Sequence, residues 1–395
     1  MSKDFLVRLS ADISAGQRDF SATMRKLIQL VRPDLYEPLA SCKSEPFLEP
    51  FAFLYFSTDH RSPGLEQVFA DHLASARRPL QVPVFSDHSG RFYVPRLGYF
   101  ATAMQDSRLD LVAPIGSNAW YVMYNGDDIP YILEPPTTVG KTTIELCRYH
   151  VPLLDRCFVG ADGQAAAVDI TDAATAHASH LTKALTTLHR VWPALHEAIV
   201  GVVRLVVIFR ADGVNSFATT AAHGTAFLNA ALGDDEVFFL EDLAHQCGHV
   251  IFSAATVKAA ENFVVAPTTL MRVFNEQRTD ERSVYVALHG VFTEALIAKC
   301  LDACMTNGIF SGRQHHELQG RLAFILQRFA ADLRNFATPG ILSTKGEELL
   351  HALREVWRDI SVRRTELVTA AAMSNQGYNF SYQRYVELNL GTGEW

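Results

Sequence analysis

Fifteen consecutive residues in the second half of the chain constrain its fold more than any other stretch. They read Phe238-Phe239-Leu240-Glu241-Asp242-Leu243-Ala244-His245-Gln246-Cys247-Gly248-His249-Val250-Ile251-Phe252. Apolar residues surround the axis of any helix this segment forms, so the helix has to be buried. It takes two imidazoles into the interior with it. Four residues on a helix correspond to about 40° around the axis, so His245 and His249 share one face. A buried imidazole needs a partner, and two on one helical face are half of a transition-metal site.

The residue between them narrows the chemistry. Zinc peptidases built on HExxH keep a glutamate beside the first histidine as general base. This chain has Gln246 there, an amide that takes no proton. The segment is equipped to bind a metal and poorly equipped to hydrolyse with it. Fifteen histidines among 395 residues give about half of one HxxxH pair by chance, so the weight falls on context. Glu241, one turn before His245 and on nearly the same face, is placed to orient a ligand imidazole through a hydrogen bond. A third ligand is required. His289, in the apolar run Tyr285-Val286-Ala287-Leu288-His289-Gly290-Val291-Phe292, is one candidate, and Glu294 is the other. They lie about 140° apart on a helix, so both do not face one metal. Glu294 gives the two-histidine, one-carboxylate set of non-haem iron, and His289 gives three imidazoles. Spacing leaves both open.

The rest of the chain sets the frame. Its length suffices for two ordinary domains or one large one. Hydrophobic residues at 48% and charged residues at 20% are the profile of a globular protein. A net charge of −8 without any basic stripe argues against a nucleic-acid partner. The six cysteines, Cys42, Cys147, Cys157, Cys247, Cys300 and Cys304, are sparse and form no CxxC pair. They read as packing residues in a reduced compartment. The N-terminus lacks an apolar signal core, and no uncharged apolar run reaches the roughly 18 residues of a membrane span. The expectation is a soluble, cytoplasmic protein with no membrane partner.

Periodicity predicts an α+β, predominantly helical fold. Residues 1 to about 40 read as helical until Pro33 and Pro38. Residues 41 to about 135 are aromatic-rich and proline-punctuated, a mixed α/β subdomain with short strands, for scaffolding or peptide binding. The Asp-Asp-Ile-Pro and Glu-Pro-Pro stretches mark a boundary, which gives domains at 1–135 and 136–395. In the second, a long helical pattern over 172–200 is split by Pro193. Val203–Phe209 is a β-branched strand, a second strand lies within Ser216–Asn229, and the motif helix follows. Helices are expected over Ser283–Cys304, Leu318–Phe336 and Gly346–Ala372, with little helix signal from Asn375 to Trp395. The outcome is a C-terminal helical metal-binding domain with a small sheet.

The order of these pieces resembles a known family. The helix ending at Trp192-Pro193, the Val206-Val207-Ile208 strand, the Gly-Thr-Ala-Phe-Leu-Asn strand, the HxxxH helix, and Arg282 ahead of Leu288-His289-Gly290 are all in sequence. Together, over about residues 175–305, they are similar to the HExxH-motif peptide-modification proteins of ribosomal peptide biosynthesis. Those are regarded as iron(II)- and 2-oxoglutarate-dependent peptide β-hydroxylases, and the chain departs from them at Gln246. The resemblance implies His245, His249 and His289 as metal ligands, with Fe(II), 2-oxoglutarate and O2 as cofactor and co-substrates, zinc being the alternative metal. It implies a precursor peptide, leader and core, as partner. Gln246 then becomes a catalytic-site residue that hydrogen-bonds rather than takes a proton. A guanidinium suits the distal carboxylate of 2-oxoglutarate; Arg282 is the first candidate and Arg278 the second. His223 and Ser216, on the strands before the motif, are candidates for the pocket wall.

Overall fold

The computed structural model describes residues 4–42, 45–57, 64–76, 79–115, 119–159, 163–275 and 279–389. Helices α1 (Phe5–Val31), α2 (Pro33–Ala40), α3 (Pro50–Ser57), α4 (Leu65–Val68) and α5 (Ala70–Ala76) come first. Pro33 does not merely end α1. It starts α2, where its missing N–H is no loss and its fixed φ fits the first turn. Short strands follow: β1 (Leu80–Phe85), β2 (Arg91–Val94), β3 (Gly98–Ala101), β4 (Arg108–Ala113), β5 (Tyr121–Tyr124), β6 (Asp127–Ile129), β7 (Ile132–Glu134), β8 (Thr137–Thr138) and β9 (Glu145–Cys147). Helices α6 (Thr171–Val191) and α7 (Pro193–Val202) meet at Trp192, split at Pro193 as predicted. Strands β10 (Leu205–Phe209) and β11 (Thr225–Asn229) precede α8 (Glu236–Asp242) and α9 (Gly248–Ala255). The chain continues through α10 (Val284–Thr306), α11 (Gly312–Arg334), α12 (Thr344–Arg363), α13 (Thr365–Ala370) and α14 (Tyr382–Leu388). The fold is α+β and predominantly helical.

These elements group into two compact units that interleave in sequence. One comprises 1–16, 179–201 and 233–395, and the other 17–178 and 202–232. A boundary near residue 135 does not separate them. The reason is pairing: β10 runs parallel to β9 in register Leu205 with Glu145 and also parallel to β11. That sheet, ordered β11-β10-β9-β8, ties residues 202–232 to the earlier segment. Strand β10 is buried at every position, which its Leu-Val-Val-Ile-Phe sequence permits. The same unit carries two antiparallel sheets, β1-β4-β5-β6 and β2-β3-β7. Phe47, Phe51, Phe69, Phe100, Phe209 and Phe227 fill its core.

The other unit is built around α10. This helix is apolar on all sides, the mark of a central helix rather than a surface one. It is long and apolar enough to cross a membrane by length and composition, but 72% of its most apolar window is buried in the fold. Ser283 caps it by accepting from the Val286 N–H at 3.2 Å. Helices α8, α9, α11 and α12 pack against it. The pattern over Gly346–Ala372 divides at Arg364 into α12 and α13. The tail also departs from expectation, because α14 forms there. Ser381 caps α14, and Tyr385 is buried against Gly320 of α11, where any Cβ would sit 2.7 Å from the Tyr385 ring.

Candidate metal centre

The motif segment is not one regular helix. Between α8 and α9, Leu243–Cys247 forms a π-helical turn that holds His245 and Gln246. Such single π turns occur often at functional sites. Asp235 caps α8 by accepting from the Val237 N–H at 3.0 Å. Gly248 opens α9 where the segment crosses α10 closely. A Cβ at this position would lie 2.8 Å from Leu296 Cδ1 and 3.2 Å from Thr293 Cγ2. That approach brings His249 to His289 across the two helices.

The three histidines are neighbours. Ring centroids are 4.8 Å apart for His245 and His249, and 4.3 Å apart for His249 and His289. His249 Nδ1 and His289 Nε2 are joined by a 2.7 Å hydrogen bond. Phe252, one turn after Gly248, stacks on the His289 ring at 4.4 Å and 14°. Burial holds all three imidazoles neutral. It pushes His245 down to about 3, helped by His249 and the charge of Arg328. It pushes His249 down to about 4. His289 falls well below the ordinary range through burial and then through its two histidine neighbours. Neutral imidazole is the ligand form.

The rings meet without converging as ligands. Among the described residues, no three His, Cys, Asp or Glu side chains are gathered around one point as a metal requires. His249 Nδ1 and His289 Nε2 are bonded to each other, and His245 Nδ1 faces Gln246. The donor set itself, three buried neutral imidazoles, suits a borderline or soft divalent ion. One further atom fits such a group: Gln246 Oε1 is sealed from solvent without a hydrogen-bond partner.

Of the two candidates for third ligand, His289 shares the cluster. Glu294 is engaged elsewhere: its Oε1 lies 3.1 Å from Arg328 Nε. Burial, with Asp332 next to it, pushes the Glu294 carboxyl well above its usual range.

Glu241 does not orient His245. Its carboxylate accepts from Arg321 Nη1 at 2.6 Å, and Arg321 also binds Glu317. The π turn alters the register after α8, so the helical spacing that aligned Glu241 with His245 no longer holds. The residues that touch the His245 side chain's polar edge are Gln246 and, through it, Asp242. Gln246 Nε2 lies 3.2 Å from His245 Nδ1 and donates to Asp242 Oδ1 at 3.0 Å.

Arg282 is likewise taken. Its guanidinium binds Asp280 at 3.0 Å through both Nε and Nη2, and Asp332 at 3.2 Å through Nη1 and Nη2. Asp280 above all holds it protonated, and Arg282 in turn lowers the Asp280 carboxyl. Arg278 lies outside the described residues. A cavity of about 470 Å³ is lined by Arg282, Arg328, Asp332, Phe324, Gln327 and Tyr378 among others. Asp332 reaches to 3.8 Å from the Cβ position of Gly290, next to His289. Sequence reasoning missed Arg328, whose Nη1 donates to the Tyr378 carbonyl at 3.0 Å. No short-range signal marks it, since α11 comes far along the chain. Asp242 was missed as well, and its i, i+4 spacing to Gln246 is the signal that could have found it.

His223 and Ser216 belong to the other unit and have structural tasks there. His223 stacks on Phe20 at 4.0 Å, and Ser216 Oγ accepts from the Asn229 N–H at 2.9 Å at the end of β11. The cysteines are free thiols, and burial pushes Cys247 well up, which leaves it an inert packing group.

No family model matches the chain, and no curated protein matches it.

Proposed function

We propose that this chain is a cytoplasmic, non-haem iron(II)/2-oxoglutarate-dependent oxygenase that hydroxylates a side-chain carbon of a ribosomally made precursor peptide. The observation that carries this reading is the buried cluster of three neutral imidazoles at an HxxxH helix whose base position holds an amide. His245, His249 and His289 would hold the metal. A redox-active iron would supply oxygen activation there, with 2-oxoglutarate as the two-electron donor. The chain's own residues do the rest. Phe252, buried and stacked on His289, shields that imidazole from water. Gln246 donates hydrogen bonds without competing for a proton. A hydrolase needs a base to activate water, and nothing at position 246 provides one.

For the co-substrate carboxylate, Arg328 is a better partner than Arg282. Arg282 already faces two aspartates. Arg328 lines the same cavity and is paired with Glu294, which burial drives toward its uncharged form.

The test is anaerobic loading with Fe(II), followed by mass spectrometry of a candidate precursor peptide with 2-oxoglutarate and O2. Gain of one oxygen atom that depends on 2-oxoglutarate supports the reading. Less than one metal per chain after loading with iron and with zinc sinks it. A second reading has its own support. The 2.7 Å bond between His249 and His289 also suits a metal-free, peptide-binding relative with a hydrogen-bonded histidine core. That reading expects no metal and retained peptide binding.

A further inference from the structure

Given the triad as a metal site, on which the following rests, we propose that Gln246 is a positioning residue. Anchored by Asp242, it fixes where His245 carries its proton and thereby restrains metal uptake. Both residues are buried, Gln246 at 1% exposure and Asp242 at 7%. Gln246 Nε2 is 3.0 Å from Asp242 Oδ1 and 3.2 Å from His245 Nδ1. The amide nitrogen donates to the Asp242 carboxylate oxygen, so the nitrogen end of the amide faces Asp242. The second hydrogen of that nitrogen then points to His245 Nδ1, which accepts. A neutral imidazole that accepts at Nδ1 carries its hydrogen on Nε2.

His245 therefore has no lone pair to offer. The one at Nδ1 is occupied by Gln246, and Nε2 is capped by hydrogen. The amide meanwhile leaves its own Oε1 sealed and without a donor, an unfavourable state for a buried acceptor. Turning the amide over removes both defects. Its oxygen would accept from His245 Nδ1–H, and the lone pair would move to His245 Nε2. Asp242 opposes this turn, because two oxygens would then face each other. The arrangement holds the site closed to metal for as long as the amide nitrogen faces Asp242.

Two substitutions reverse the clamp by different chemistry. Gln246→Glu puts an oxygen where the amide nitrogen was. That oxygen accepts from His245 Nδ1–H and shares a proton with Asp242, since two adjacent carboxylates do not both ionise. Asp242→Asn supplies a donor in place of an acceptor, which frees the Gln246 amide to turn. In metal-free protein with 15N-labelled histidine, wild type is expected to show His245 protonated at Nε2. Both variants are expected to show it protonated at Nδ1. Both are also expected to bind Fe(II) or Co(II) about 10- to 100-fold more tightly, the usual size of an outer-sphere effect. Circular dichroism identifies any variant that fails to fold, and the other then carries the test. Wild-type His245 already protonated at Nδ1, or folded variants that bind metal no more tightly than wild type, overturns the clamp alone. Absence of metal from all three proteins overturns the parent reading, and with it any role of the clamp in metal uptake.

Discussion

Replacing His223 by phenylalanine should remove a defined part of the protein's acid sensitivity. His223 is 2% exposed. It stacks on Phe20 at 4.0 Å, lies 5.5 Å from Phe53, and meets Gln17 Oε1 at 3.3 Å. Burial, with Arg204 adding to it, pushes its pKa down to about 4. The folded protein thus keeps His223 neutral at pH values where the unfolded chain has taken up a proton. Stability is complete above the unfolded pKa of about 6.5, falls as pH drops toward 4, and is constant below. The full difference is about 2.5 pH units, or about 3 kcal/mol at 1.36 kcal/mol per unit. Between pH 7 and pH 5 the same linkage gives a loss of about 1.8 kcal/mol. Phenylalanine keeps the stack on Phe20 and has no proton to gain. Urea unfolding of both proteins at pH 7 and pH 5 measures the effect, followed through Trp120, which is buried in the same unit. His72, also pushed down to about 4, loses stability equally in both proteins and cancels. The variant should lose about 1.8 kcal/mol less than wild type on acidification. An equal loss in both means that His223 is protonated while folded, and the burial reasoning fails.

The remaining predictions concern the other unit. His249→Ala or His289→Ala should abolish stoichiometric Fe(II) or Co(II) binding while Glu294→Gln retains it, measured by metal analysis after gel filtration; the reverse order makes Glu294 the third ligand. Gly248→Ala pushes the motif segment from Leu296 and Thr293 and should destabilise by about 1–3 kcal/mol, with a drop in metal affinity that a purely distant packing change would not produce. Arg321→Met leaves the half-buried Glu241 without its cation and the buried Glu317 with Arg313 alone, and should cost about 3 kcal/mol in denaturant unfolding. Arg328→Leu should raise the KM for 2-oxoglutarate with little change in KM for peptide. Arg282→Leu should lower stability more than co-substrate affinity, because its fork joins Asp280 to Asp332.

Much of the helical frame was legible because local chemistry decides it. Pro193 splits α6 from α7, Ser283 caps α10, and the apolar circumference of α10 makes it a core helix. The π turn at Leu243–Cys247 was not legible, because no local sequence pattern marks a change of hydrogen-bond register within an apolar helix. That register separates Glu241 from His245 and makes Asp242 and Gln246 the relevant pair. The pairing of Arg282 with Asp332 was not legible for a related reason. A sequence shows a cation near a motif but not the carboxylates that neutralise it, and Asp332 arrives from α11, well beyond the local window. The grouping of 17–178 with 202–232 was not legible, because parallel pairing of β9 with β10 is long-range and no composition shift records it.

The chemistry of the triad then turns on what an empty set of buried ligands does. Three neutral imidazoles in an apolar surround, each with an unshared lone pair, would leave acceptors unsatisfied at a cost of about 1–3 kcal/mol apiece. This chain spares two of the three acceptors that cost by internal bonds: one between His249 and His289 at 2.7 Å, and one from Gln246 to His245 at 3.2 Å. A metal has to break both before it binds. Hard cations such as Mg²⁺ or Ca²⁺ prefer oxygen and gain too little from imidazole to do so, whereas ions toward the later first-row transition series gain enough. The amide at position 246 thus lowers affinity for every ion by a similar amount, and only those with strong imidazole bonds still bind. A glutamate in the same place would accept from His245 and hold the site open, with a base beside it. In the proposed metal site, the amide at position 246 would thus both lack a base and keep the empty site closed, and the two effects would separate in Asp242→Asn, which opens the site without supplying a base.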